Sequence, residues 1–155
     1  MDPLTHLTPL ILSFDPGITT GYALISTSGV LLVSGNLDLD DLRESPILEG
    51  MKNAEGLLVI METVPIFGNS ALGRRLHEVN SILEGFFPTA VKILPGTWKS
   101  IPSIINFPVP KTWLGKPMTP HQKDSYRMGM FFLIFRKGAL DAIKRTGADS
   151  AVLHQ

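Results

Sequence analysis

Three carboxylates and one imidazole stand where they can do chemistry. Asp15 closes a short apolar run, Leu10–Phe14, and Glu62 lies near the end of a second, Gly56–Val64. Asp124 and His121 are three residues apart in the first turn of a helix that begins at Thr119, so both project from one face. A carboxylate in an apolar strand is expensive to bury unless it is paired or metal-bound. Oxygen donors without thiolates suit Mg²⁺ or Mn²⁺. Two such ions about 4 Å apart activate water and stabilise the leaving oxygen of a phosphodiester. In that scheme Asp15 bridges both ions, Glu62 binds one and Asp124 the other. His121 is either a further ligand or a contact to the scissile phosphate. Each acid taken alone also reads as an exposed strand-end carboxylate, and His121 as a solvated helix residue. Three acids in this order favour the metal site.

The elements that must position them follow from local pattern. Leu10–Phe14, Gly21–Ser26 and Gly29–Ser34 read as strands, with a turn at Asp15-Pro16-Gly17 and a hairpin turn at Thr27-Ser28-Gly29. The acidic stretch Asp38–Asn53 reads as a helix. Gly56–Val64 is nearly continuous apolar, as in a strand covered on both faces. Asn69–Gly85 carries Leu72, Leu76, Val79 and Leu83 at helical spacing, with Asn69 or Ser70 as cap and Gly85 as terminator. That stripe is more often core than interface. Thr89–Leu94 is a further strand, closed by Pro95-Gly96. Residues 97–118 hold four prolines and two tryptophans without a period, which predicts a long loop or lid. Thr119-Pro120-His121-Gln122 fits a capping box, with Thr as N-cap, Pro at N1 and Gln at N3. A meander that continues in alternation with helices predicts a mixed sheet with helices packed on it.

The chain of 155 residues is expected to form one domain, residues 1–155. It has no cysteine, which excludes a disulfide scaffold, thiolate metal sites and a cysteine nucleophile. No apolar run approaches the roughly 18 residues of a membrane span, and the N-terminus lacks a basic region before its first acid. A cytoplasmic setting is expected. Formal charge is zero but unevenly spread: residues 1–65 carry two basic groups against nine acids, and residues 66–155 twelve against five. The second half therefore reads as a polyanion-binding surface.

Three stretches resemble RuvC-type Holliday junction resolvases. Phe14-Asp15-Pro16-Gly17-Ile18-Thr19-Thr20-Gly21-Tyr22-Ala23 is similar to the first-strand motif. Met61-Glu62-Thr63-Val64-Pro65-Ile66-Phe67 is similar to the second acidic motif, and Asn69-Ser70-Ala71-Leu72-Gly73 to the helix start after it. His121-Gln122-Lys123-Asp124-Ser125-Tyr126-Arg127-Met128-Gly129 resembles the final motif, where two metal-site residues lie three apart. The resemblance runs from residue 11 to about 135, and a phage-type member fits it. It implies an α/β, RNase H-like fold with a mixed five-stranded sheet flanked by helices. It implies cleavage of branched DNA, a homodimer, and two Mg²⁺ or Mn²⁺ ions per active site. Asp15, Glu62, His121 and Asp124 are then the catalytic, metal-holding positions. Phe67 matches an aromatic that stacks on a base, worth roughly 1–3 kcal/mol, or else is a loop aromatic tucked against the core. The family's glycine-rich, lysine-bearing stretch before the final helix has no counterpart; residues 97–118 stand in its place. His121 stands where many members have Asp. Gly147-Ala148-Asp149-Ser150-Ala151 makes Asp149 a second candidate for the last acid.

Arg74, Arg75, Lys99, Lys111, Lys116, Lys123 and Arg127 are the candidate DNA contacts, with Lys92, Arg136, Lys137, Lys144 and Arg145 extending the patch. Such contacts give salt-dependent affinity that ignores sequence. Two other readings compete. One is a non-catalytic branched-DNA-binding protein on the same fold. The other is an ATP-binding domain of the actin and hexokinase type, whose Asp-x-Gly-x-Thr loop resembles Asp15–Thr19 but which places nucleotide between two domains.

Overall fold

Strand alternation sends the side chains of β1 (Leu10–Asp15) to opposite faces of the sheet. Leu12 and Phe14 enter one apolar cluster and Ile11 the other. Asp15 shares the parity of Ile11 and so belongs to the second face. The same holds in β4 (Leu57–Glu62): Val59 and Met61 join the first cluster, Ile60 the second, and Glu62 shares the parity of Ile60. The computed structural model describes residues 9–63 and 69–135.

β2 (Thr19–Ser26) and β3 (Leu31–Asp38) complete an antiparallel meander with β1. β4 pairs parallel with β1, and β5 (Val91–Ile93) pairs parallel with β4. The order β3-β2-β1-β4-β5 is the mixed five-stranded sheet expected from the sequence. Its first face is covered by α1 (Leu39–Leu42), α2 (Pro46–Met51) and α3 (Ala71–Phe86). Its second face is covered by α4 (Pro95–Lys99), α5 (Pro102–Ile105) and α6 (Pro120–Phe135).

The hairpin turn after Ser26 holds, with Gly29 at φ +88°. Two short helices replace the single one expected over 38–53. Ser45 caps the second, its hydroxyl accepting from the Leu48 amide at 3.3 Å, and Pro46 starts it. α3 begins where Ser70 accepts from Gly73 at 3.0 Å, and it runs one residue past Gly85. Of its stripe, Val79 and Leu83 are buried and Leu72 is exposed. The expected loop over 97–118 is largely built structure: most of α4, α5, and a hairpin of β6 (Thr112–Trp113) and β7 (Lys116–Pro117). Trp98 and Ile104 from this stretch lie in the core. Elements this short show no period, which is why pattern alone reads them as loop.

The capping box forms as the sequence specifies. The Gln122 amide donates to Thr119 Oγ1 at 3.2 Å, and the Thr119 amide donates to Gln122 Oε1 at 2.9 Å. Thr119 Oγ1 also donates to Asn36 Oδ1 at 3.0 Å, and Gln122 Nε2 to Ser34 Oγ at 3.0 Å, which bind the start of α6 to β3. Thr119→Ala is expected to cost about 1 kcal/mol in chemical denaturation, and Thr119→Ser to recover most of it. An unchanged Thr119→Ala would show that β3 alone holds the helix start.

Candidate active site

Register brings two of the acids together. Phe14 pairs with Met61 across the parallel β1–β4 ladder, so Asp15 and Glu62 are the next residues on neighbouring strands and point to the same face. They lie at the carboxyl ends of those strands, where open α/β sheets place their sites. The start of α6 crosses this end of the sheet. Its approach is set by Gly21, which pairs with Asp15: a Cβ there would stand 2.4 Å from the backbone carbon and oxygen of His121. Backbone in the way does not swing aside as a side-chain end does, so Gly21→Ala must push α6 off the sheet. A loss of about 3 kcal/mol is expected in denaturant titration, together with loss of the Asp15–His121 contact. Wild-type stability in this variant would mean that α6 can be displaced without cost.

His121 Nδ1 lies 2.9 Å from Asp15 Oδ2, across 106 residues of sequence. Where the carboxylate is ionised it only accepts, so Nδ1 donates, and in the neutral imidazole Nε2 is left as the acceptor. The Asp15 side chain is almost buried while His121 is half exposed. Burial pushes the Asp15 carboxyl above its ordinary range. The hydrogen bond from His121 pulls it down, and the charges of Glu62 and Asp124 push it up. Glu62 has its own donors: Trp98 Nε1 gives a hydrogen bond to Oε2 at 2.8 Å, and Lys99 Nζ lies 3.4 Å from Oε1. Lys99 also sits 5.2 Å from the centre of the Trp98 ring, within cation–π reach. Asp124 Oδ1 is 4.0 Å from Arg127 Nη1.

The four residues singled out from sequence thus face one end of the sheet, and Glu62, His121 and Asp124 act electrostatically on Asp15. They do not form a closed coordination sphere: among the described residues no three His, Asp or Glu side chains are placed close enough together to share one ion. The donor set nevertheless fits a hard divalent cation in its chemistry. It offers three carboxylates and an imidazole, and a cation there would offset both the burial of the Asp15 charge, the larger cause of its raised pKa, and the repulsion from Glu62 and Asp124.

The cations divide. Lys99 is exposed and reaches Glu62 at 3.4 Å. Arg127 is about a quarter exposed and lies 4.0 Å from Asp124. Lys92 pairs with Glu84 at 2.6 Å. Arg74 donates to the Asn69 carbonyl at 2.6 Å, and Arg75 is exposed beside it. Lys111 and Lys116 are exposed on the β6–β7 hairpin, and Lys123 is half exposed on α6. Phe67, Arg136, Lys137, Lys144, Arg145 and Asp149 lie outside the described residues. Sequence reasoning missed Trp98 as a donor to Glu62 and Gly21 as the seat of α6. A glycine inside a strand was the available signal for close backbone approach; for Trp98 there was none.

No protein-family model and no curated protein matches the sequence. Solved structures do match the fold. RuvC of Thermus thermophilus in complex with Holliday junction substrate superposes at a TM-score of 0.62 with 12% identity, over 84% of this chain and 96% of that one. A second Thermus thermophilus RuvC structure gives 0.55 and 12%, over 83% and 96%. The chain therefore has the fold of the RuvC Holliday junction resolvases.

Proposed function

We propose that this protein is a divalent-metal-dependent endonuclease that hydrolyses phosphodiester bonds in branched DNA such as Holliday junctions. One observation carries the reading: in a RuvC-like fold, Asp15, Glu62, His121 and Asp124 come from the ends of β1 and β4 and the start of α6 to a single end of the sheet. Asp15, Glu62 and Asp124 would hold Mg²⁺ or Mn²⁺, two per site, with His121 Nε2 as the nitrogen donor. The metal would supply an activated water and charge stabilisation at the phosphate. The chain's own groups do the rest. His121 orients Asp15 through Nδ1. Trp98 fixes the rotamer of Glu62, and Lys99 sets a positive charge beside it that DNA phosphate can share. Lys111, Lys116, Lys123, Arg74 and Arg75 contact phosphates, and Phe67 stacks near the branch. A homodimer would straddle the two strands of a junction that are cut. No described helix is long and apolar enough to cross a membrane.

The test is cleavage of a synthetic four-way junction and a matched linear duplex in Mg²⁺, Mn²⁺ and EDTA. Symmetric nicks on the junction alone, lost in EDTA, are the expected result. Junction binding should weaken by orders of magnitude between about 50 and 200 mM salt if six or more phosphates are contacted; a flat response would remove the phosphate contacts. Tight junction binding without cleavage would favour the non-catalytic DNA-binding reading. That alternative draws support from Lys99 resting on Glu62. Failure to prefer the junction over duplex would overturn both.

A further inference from the structure

The hairpin between α5 and α6 ends in a residue that is wrong for its place. Thr112 pairs with Pro117 and Trp113 with Lys116, so Leu114 and Gly115 form a two-residue loop. Both have positive φ, 51° and 78°, the type I′ geometry that favours Asn-Gly. Leu114 is the single non-glycine residue with positive φ among the described residues. It is also the most exposed of their large apolar side chains, at 84%. A lone surface leucine needs no explanation. A leucine that is both backbone-strained and held out in water gains nothing for the fold, and such outliers mark function.

The base of the hairpin is anchored to the body of the protein. It is closed by the Met118 amide donating to the Lys111 carbonyl at 3.0 Å, and Met118 itself is buried. The next residue, Thr119, caps α6, which carries His121 and Asp124. On the other side Phe107 packs against Tyr126 of α6, ring centres 6.2 Å apart. Three residues at strand rise put the apex about 10 Å beyond Met118. Lys111 and Lys116 flank it, both exposed. A projecting apolar tip between two cations is the chemistry of a wedge that enters between base pairs while lysines hold the phosphates on either side.

The geometry points to Leu114 as a wedge that inserts at the branch point of DNA, so that the β6–β7 hairpin selects branched over linear substrate. This rests on the branched-DNA reading above. The hairpin fills the stretch where the family's glycine-rich, lysine-bearing segment is missing, and it gives that stretch a role in substrate choice.

The test uses the full chain in EDTA, where binding is read without cleavage. The probe is a four-way junction with 2-aminopurine at the branch, which brightens on unstacking, beside a matched duplex. Wild type should raise the junction's fluorescence. Leu114→Asn keeps the turn, because Asn tolerates the left-handed region and Asn-Gly is favoured there, but removes the wedge. It should lose most of the fluorescence rise, and the ratio of junction to duplex affinity should fall about tenfold. Leu114→Phe should restore both. The double variant Lys111→Ala, Lys116→Ala should reduce the salt slope of binding by about 2. Equal brightening by Leu114→Asn and wild type would overturn the wedge and leave the branched-DNA reading standing. No preference of wild type for the junction would overturn that reading, and the wedge with it.

Discussion

Asp15→Asn is expected to abolish cleavage, by about a thousandfold or more, while junction binding persists and the thermal midpoint in EDTA rises. The first part follows from charge. Asp15 is the carboxylate on which Glu62, His121 and Asp124 all act, and in the proposed function it would help hold the metal. Its loss removes several kcal/mol of charge stabilisation at the phosphate, and about 4 kcal/mol is a factor of a thousand. The scaffold survives because Asn can still accept from His121 Nδ1. The rise in midpoint follows from burial. The folded-state pKa lies above the ordinary 3.8 because burial disfavours the charged form. A group raised in this way contributes its stability below its unfolded value and loses it as pH climbs through its folded value. At neutral pH the buried charge is therefore a net cost that Asn does not carry. The advantage of Asn should narrow as pH falls towards 3.8. Melting curves of both proteins in EDTA at neutral and acidic pH check the sign. No advantage at neutral pH would show that His121 fully offsets the burial. Retained cleavage would make Asp15 structural and remove it from the proposed metal-holding residues.

Trp98→Ala carries the largest expected loss of stability, about 3–5 kcal/mol, or a midpoint lower by about 10 °C. Trp98 heads the fully buried side chains at 1% exposure and packs in the cluster beneath α6. Its Nε1–H is also the donor to Glu62 Oε2. Trp98→Phe separates the two roles. It keeps most of the volume but leaves the carboxylate without that donor, at a cost of about 1–3 kcal/mol. Cleavage by the Phe variant should fall about tenfold in kcat with KM little changed, because the loss is in positioning Glu62 rather than in holding DNA. Wild-type kcat in Trp98→Phe would make the tryptophan a core residue only. A mild stability loss in Trp98→Ala would mean that Lys99 and its neighbours close over the gap.

The two variants also mark where pattern stops being informative. Asp15 and Glu62 are visible in sequence because each interrupts an apolar run, and strand parity alone assigns each to a face of its sheet. The Thr119–Gln122 capping box and the Ser70 cap are visible too, because a cap is made by residues three apart. The mixed sheet follows from a meander that continues in alternation with helices. Trp98 is not legible in this way. Its partner is 36 residues away, and the single turn that carries it has no period to read.

Interactions within one turn or one strand are therefore settled by the sequence, since they depend on spacings of two, three and four. Strand order, the contact of His121 with Asp15, the contact of Lys99 with Glu62 and the absence of room for a side chain at Gly21 are settled only by the tertiary structure. Each of these depends on which strands become neighbours and on how closely α6 can approach β2, distances that no local spacing contains.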